Sequence, residues 1–187
     1  LRDHDLPTAQ PATQPAANNV PSSSPPRPLP LLDAGARREV RERVRHWFGI
    51  PDQGRILLSI GAPADPSTAL SYLSLIKPLT AARNDLSAVL VGTTPEATCW
   101  QGCRDEMAAL VATRQLFLAE STHDRDAFLL AADAFLAIDA RSLDLNGPSA
   151  DEAGLLILTP PLPRPSWQPG PHVEAPTPGT AIQALDA

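Results

Sequence analysis

Short apolar runs alternate with amphipathic stretches through the middle of this chain. Arg55-Ile-Leu-Leu-Ser-Ile60, Leu86-Ser-Ala-Val-Leu-Val91, Gln115-Leu-Phe-Leu-Ala119, Ala134-Phe-Leu-Ala-Ile138 and Leu155-Leu-Ile-Leu158 are almost continuously apolar. Runs of this length without polar alternation predict strands buried on both faces, as in a parallel sheet. Before the first run, Val40, Val44, Trp47 and Phe48 share one face of a helix over 34–48, which Gly49 and Pro51 end. Its other face carries Arg37, Arg38, Arg41, Arg43 and Arg45, with Glu39 and Glu42 between them. That face reads as a solvated surface laced with ion pairs, or as a phosphate-binding patch.

The remaining helices carry start and stop signals. Asp65 is a good N-cap and Pro66 suits the first turn of a helix holding Leu70, Leu73, Leu75 and Ile76, which Pro78 ends or kinks. Thr94 and Pro95 open a helix over roughly 95–113. Ser121 and Asp124 resemble a capping box for a short helix through Phe128, Leu129 and Leu130. Strand–helix alternation with right-handed crossovers predicts an α/β fold: a single Rossmann-like domain, mainly a parallel sheet with helices on both faces.

Proline placement bounds that domain. Of 22 prolines, eight fall in residues 1–30, eight in 160–178, and six between. The reading is a proline-rich arm or linker over 1–33, a folded domain over 34–159, and a proline-rich tail over 160–187, with one short helical turn at Thr180–Leu185. Pro25-Pro26-Arg27-Pro28 also has the form of an SH3 ligand, although a plain linker explains it. The chain begins with Leu, so a processed, trimmed or partial chain is expected. Residues 1–30 hold no apolar signal core, and no run approaches the roughly 18 apolar residues of a membrane span.

Charge and motifs remove several functions. The net charge of −6 lacks the basic footprint of a general nucleic-acid binder. Cys99 and Cys103 are spaced for one helix face, not for a redox or zinc pair, and read as reduced thiols in a cytoplasmic protein. The histidines at 4, 46, 123 and 172 have no metal-ligand spacing, so neither metal nor cofactor is implied. Gly61-Ala-Pro-Ala-Asp-Pro after the first strand is not a Gly-x-Gly-x-x-Gly cradle, and neither a P-loop nor a Gly-x-Ser-x-Gly elbow occurs.

One stretch sits where an open α/β sheet takes its ligand, past the fourth strand: Asp144-Leu-Asn-Gly147-Pro-Ser-Ala-Asp151-Glu152-Ala153-Gly154. Asp144 and Glu152, eight positions apart, are candidates to face a sugar or ribose. A plainer reading makes Asn146-Gly147 a turn and Asp151 and Glu152 helix-favouring acids. Taken in order, Arg41-Glu-Arg-Val-Arg-His-Trp-Phe-Gly-Ile-Pro51, Leu57-Leu-Ser-Ile-Gly61, Val89-Leu-Val-Gly92, Ala131-Ala-Asp-Ala-Phe-Leu136 and this acidic stretch resemble the C-terminal, nucleotide-sugar-binding domain of retaining GT-B glycosyltransferases, over residues 40–160. The family's Glu-x7-Glu pattern is matched by Asp144 and Glu152, with Gly147 and Ala153 at its small-residue offsets.

The resemblance implies that Glu152 would bind ribose hydroxyls, Asp144 the donor sugar, and Gly61 the diphosphate. Gly147 and Ala153 would shape the loop beneath the sugar. The ligand would be a UDP- or GDP-linked sugar, with an N-terminal domain or a partner chain supplying the acceptor. No catalytic residue is assigned. The chain departs from the family pattern in having no Lys or Arg over 62–76, where the family keeps a cation for the diphosphate; Lys77 comes late. Two functions follow: a glycosyltransferase-like donor domain, or a non-catalytic binding module that kept the fold.

Overall fold

The computed structural model describes residues 29, 33–121, 123–160, 172–174 and 177–186. The arm over 1–33, apart from residues 29 and 33, and residues 161–171, 175–176 and 187 of the tail lie outside the described residues, as does Pro25–Pro28. The elements in chain order are α1 (Ala34–Phe48), β1 (Arg55–Ile60), α2 (Pro66–Ala82), β2 (Leu86–Val91), a 3-10 turn (Thr98–Trp100), α3 (Arg104–Ala112) and β3 (Leu116–Ala119). They continue with α4 (Arg125–Ala131), β4 (Ala134–Leu136), α5 (Ala140–Glu152), β5 (Leu156–Thr159), β6 (His172–Glu174) and α6 (Pro178–Asp186).

The strands form one parallel sheet in the order β3-β2-β1-β4-β5-β6. β1 and β2 run in register from Arg55 beside Leu86 to Ile60 beside Val91. Successive strand residues point to opposite faces, so a continuous apolar run feeds two cores. Leu57, Ala88, Leu90, Leu116, Leu136 and Leu158 pack under α2, α3 and α6 with Tyr72, Ile76, Trp100 and Met107. Ile56, Leu58, Ile60, Val89, Phe135 and Ile157 pack under α1, α4 and α5 with Val44, Phe128, Leu129 and Leu143. At about 25 cal/mol per Å² of apolar surface removed from water, these two cores supply the main favourable term of folding.

Several local readings change in the folded chain. The sheet has a sixth strand at 172–174, which the proline-rich composition of that stretch does not announce, and the turn expected at 180–185 is part of the longer α6. Pro78 does not end α2, which continues to Ala82. An interior proline costs about 3 kcal/mol, but Leu79 and Thr80 beyond it are buried, and burying a leucine alone returns ~1.5–3 kcal/mol. The helix expected over 95–113 divides at Gly102, whose φ of 87° lies in the left-handed region. Cys99 therefore sits in the 3-10 turn and Cys103 at the N-cap of α3; both are free thiols and both are buried. Burial pushes the Cys103 thiol up, with Cys99 and Glu106 adding to it. Ser121 and Asp124 form no capping box: the Ser121 hydroxyl engages the His123 ring at 2.5 Å, and the Asp124 side chain makes no capping bond.

The arginine face of α1 is not simply solvated. Arg41 pairs with Asp133, and Arg37 donates to the Ala153 carbonyl at 2.5 Å. Arg45 donates to the Asp52 and Gly54 carbonyls, and burial holds its pKa below the usual arginine value. Asp133 also accepts from the Ile56 amide at 2.8 Å. The Ala-Asp step before β4 is thus a clamp, joining α1 to the entry edge of β1 and β4.

Candidate functional site

β1 has β2 on one side and β4 on the other, so the strand order reverses there. The chain leaves β1 toward α2 on one face of the sheet and leaves β4 toward α5 on the opposite face. A crevice must open between two such connections, at the carboxyl ends of the strands. It is present as a cleft of about 300 Å³, lined by Ile60, Gly61, Ala62, Ala64, Asp139, Arg141, Ser142, Leu145 and Asn146.

Both walls are built by local sequence. Gly61 has a φ of 109°, a conformation that L side chains rarely adopt, and an added Cβ would meet nothing within 4 Å. Open space therefore stands over Gly61, whose amide donates to the Val91 carbonyl at 2.8 Å. Across from it, Asp139 in extended conformation caps α5 and accepts from the Ser142 amide at 2.6 Å. The Ser142 hydroxyl and the Asn146 amide both donate to the Ile60 carbonyl, at 2.9 and 3.4 Å. These bonds fix the first turns of α5 against the last residue of β1. Asn146 is further held by the Arg125 guanidinium, which donates to its side-chain oxygen at 3.0 Å and to the Ser149 hydroxyl at 2.9 Å.

Arg141 stands at the mouth of the cleft. It is exposed and makes no ion pair with another described residue. A helix N-terminus carries about half a positive charge, so the amino end of α5 and Arg141 together favour an anion, while the Asp139 carboxylate opposes one. No three His, Cys, Asp or Glu side chains converge as a metal set among the described residues.

The structure brings one of the five sequence candidates into this cleft. Gly61 lines it. Asp144, Gly147 and Glu152 lie within α5, and Ala153 is its C-cap, so the acidic stretch is a helix and not a loop beneath a sugar. Asn146-Gly147 makes no turn, because the Asn146 side chain is buried and spends its bonds on Ser142, Ile60 and Arg125. Ten residues of helix separate Ser142 from Glu152, about 15 Å of rise, and this sends Glu152 to the opposite edge of the sheet. There it accepts from the Leu29 amide at 3.1 Å. Asp144 is exposed on α5 and does not line the cleft; Gly147 and Ala153 are buried. Lys77, the late cation, pairs with Glu106 at 3.0 Å.

Asp139, Arg141, Ser142 and Asn146 are the side chains that sequence reasoning passed over. One signal for them was present: an Asp directly after an apolar strand run is a good helix N-cap. It would have started a helix at residue 140 and put Arg141 in its first turn.

No family model matches this chain, and no curated protein matches it. Solved structures do. It is similar to WaaG, a glycosyltransferase involved in lipopolysaccharide biosynthesis, at 17% identity and a TM-score of 0.54, covering 85% of this chain and 47% of that one. It is similar to the ADP-heptose LPS heptosyltransferase II of E. coli at 13% identity and a TM-score of 0.50, covering 83% and 51%. It is similar to the C-terminal domain of LpcC, a glycosyl transferase group 1 family protein from Francisella tularensis, at 12% identity and a TM-score of 0.55, covering 84% and 83%. The chain spans about half the length of the first two structures and most of the third.

Proposed function

We propose that this chain, which has the fold of a GT-B glycosyltransferase C-terminal domain far diverged in sequence, is a donor-binding domain, taking a nucleotide diphosphate sugar in the cleft between Gly61 and α5. A second domain or partner chain would supply the acceptor. One observation carries this reading: open space over Gly61 lies beside a helix N-terminus and Arg141, which pairs with no other described residue, at the switch point of the sheet.

The chemistry follows from charge. Transfer of the sugar leaves a nucleoside diphosphate whose terminal phosphate gains charge as the glycosidic bond breaks. A positive group aimed at that phosphate lowers the barrier more than it strengthens ground-state binding. In this cleft the amino end of α5 and Arg141 take that part, replacing the cation absent from 62–76. The Ser142 and Asn146 side chains are already committed to Ile60, so they hold the wall rather than the ligand.

A second reading has its own observation. Asp139 puts a carboxylate beside the place a diphosphate would occupy, so the one arginine of the cleft is offset. That favours a binding module that kept the fold and lost transfer.

Calorimetric titration of the chain with UDP, GDP and ADP, then with UDP-glucose, GDP-mannose and ADP-heptose, separates the two. Saturable binding near micromolar Kd, weakened roughly a hundredfold by R141E, supports the donor domain. Absence of heat at millimolar nucleotide supports the non-catalytic module.

A further inference from the structure

Trp47 is more exposed than any other large apolar side chain among the described residues, at 63%. It is nevertheless held. Its ring lies 12° from the plane of Phe128 with centroids 6.1 Å apart, and 28° from Phe48 at 6.3 Å. Phe128 is itself buried in the core beneath α1 and α4. The indole is thus backed by fixed rings on its inner side and open on its outer side.

A surface hollow of about 540 Å³ surrounds it, lined by Arg43, Val44, His46, Trp47, Asp124 and Ala127. That volume falls within the range of about 300–1,000 Å³ typical of small-molecule sites. The hollow shares no residue with the cleft at Gly61. Arg43, His46 and Asp124 are exposed, and their side chains make no hydrogen bond or ion pair with another described residue. A flat apolar floor is therefore ringed by two nitrogen-bearing groups and one carboxylate, all free to engage a ligand.

The charges of Arg43 and Asp124 offset one another, which suits a neutral ligand. The other exposed large apolar side chains among the described residues, Leu70, Val111 and Leu145, do not line this hollow. A single aromatic ring is far short of the roughly 800 Å² per partner that a stable protein interface buries. A neutral sugar fits better. A pyranose ring has a face of C–H groups whose hydrogens carry partial positive charge and meet the negative face of an indole. Its hydroxyls donate to a carboxylate and accept from guanidinium and imidazole.

We propose that this hollow is a saccharide-binding platform, separate from the nucleotide cleft, with Trp47 stacking on a pyranose ring and Asp124, Arg43 and His46 reaching its hydroxyls. The platform stands independently of the donor-domain reading, since a chain that binds no nucleotide would still present it.

The test is saturation-transfer NMR on the whole chain with cellotriose, maltotriose, chitotriose and mannotriose. Each is used at about 20 mM, where even millimolar affinity registers. The expected result is transfer to the ring C–H protons of at least one trisaccharide. W47A should weaken that binding roughly tenfold or more and D124N severalfold, while R141E leaves it unchanged. D124N changes an exposed group and keeps the test intact if W47A folds poorly. No transfer to any of these sugars overturns the proposal, as does transfer that W47A and D124N leave unaltered. A wild-type dimer that W47A converts to monomer, with no sugar bound, assigns the ring to a second copy and overturns it as well.

Discussion

Asp133 does more for this molecule than its place in an Ala-Asp pair suggests. Its carboxylate accepts from the Ile56 amide and from Arg41, with Arg45 3.9 Å away. Removing it leaves a half-buried arginine and a strand amide without their anion, and a stranded buried charge costs more than the lost bond. D133A is expected to lower unfolding stability by about 2–4 kcal/mol in urea denaturation; a loss below ~0.5 kcal/mol would show that the clamp carries nothing. Glu152 is a smaller case. It accepts one backbone bond from Leu29, far from the cleft. E152A is expected to cost about 1 kcal/mol or less and to leave nucleotide affinity as it was. A clear loss of nucleotide affinity in E152A would return Glu152 to the site.

At the scale of elements, α5 links the cleft to the opposite end of the sheet. Its amino end forms the cleft and its carboxyl end meets α1 through Ala153 and Arg37. Asp139 has two opposed effects there, stabilising the helix as its cap and repelling an anion. The two separate by substitution. D139A loses the capping bond to Ser142 and is expected to cost about 1 kcal/mol of stability. D139N keeps a capping oxygen, so stability should stay within ~0.5 kcal/mol while affinity for UDP, GDP or ADP rises. Thermal unfolding with parallel calorimetry reads both. Nucleotide binding that D139N does not strengthen would mean that the phosphate lies away from the amino end of α5.

For the whole molecule, two carboxylates among the described residues contribute to the response to acid. The Arg83 hydrogen bond, aided by the charges of Arg83 and Arg55, holds Asp85 below the usual carboxylate range. Hydrogen bonds from the Ser67 hydroxyl and the Thr68 amide do the same for Asp65. Both pKa values are lower folded than unfolded. The stability they contribute is therefore complete above the unfolded carboxylate value and is lost as pH falls through the folded values. The urea midpoint should be level above about pH 5 and decline below it, and D85N should flatten part of that decline. An unaltered acid limb in D85N would show that Asp85 contributes nothing to it. At this scale the chain also matches only about half of two of its structural neighbours, so transfer is proposed to need a second domain. No helix among the described residues is long and apolar enough to cross a membrane.

The sequence by itself determined the fold class. Continuous apolar runs such as Ile56–Leu58 and Val89–Val91 bury on two faces, their alternation with helices makes the sheet parallel, and helix signals such as Asp65-Pro66 and Gly49 depend on neighbours a few residues away. It also placed Gly61 at the end of β1, where the ligand edge of such a sheet lies. Tertiary structure decided the rest of the site. Asn146-Gly147-Pro148 has local turn chemistry, yet the bond Asn146 donates to Ile60 and the one it accepts from Arg125, residues 86 and 21 positions away, hold it in a helix. Once helical, the acidic stretch sets Asp144 and Glu152 about 12 Å apart along α5, and neither lines the cleft. Arg141 becomes a cleft residue only because β4 lies beside β1, and that adjacency is a property of strand order, not of any window along the chain.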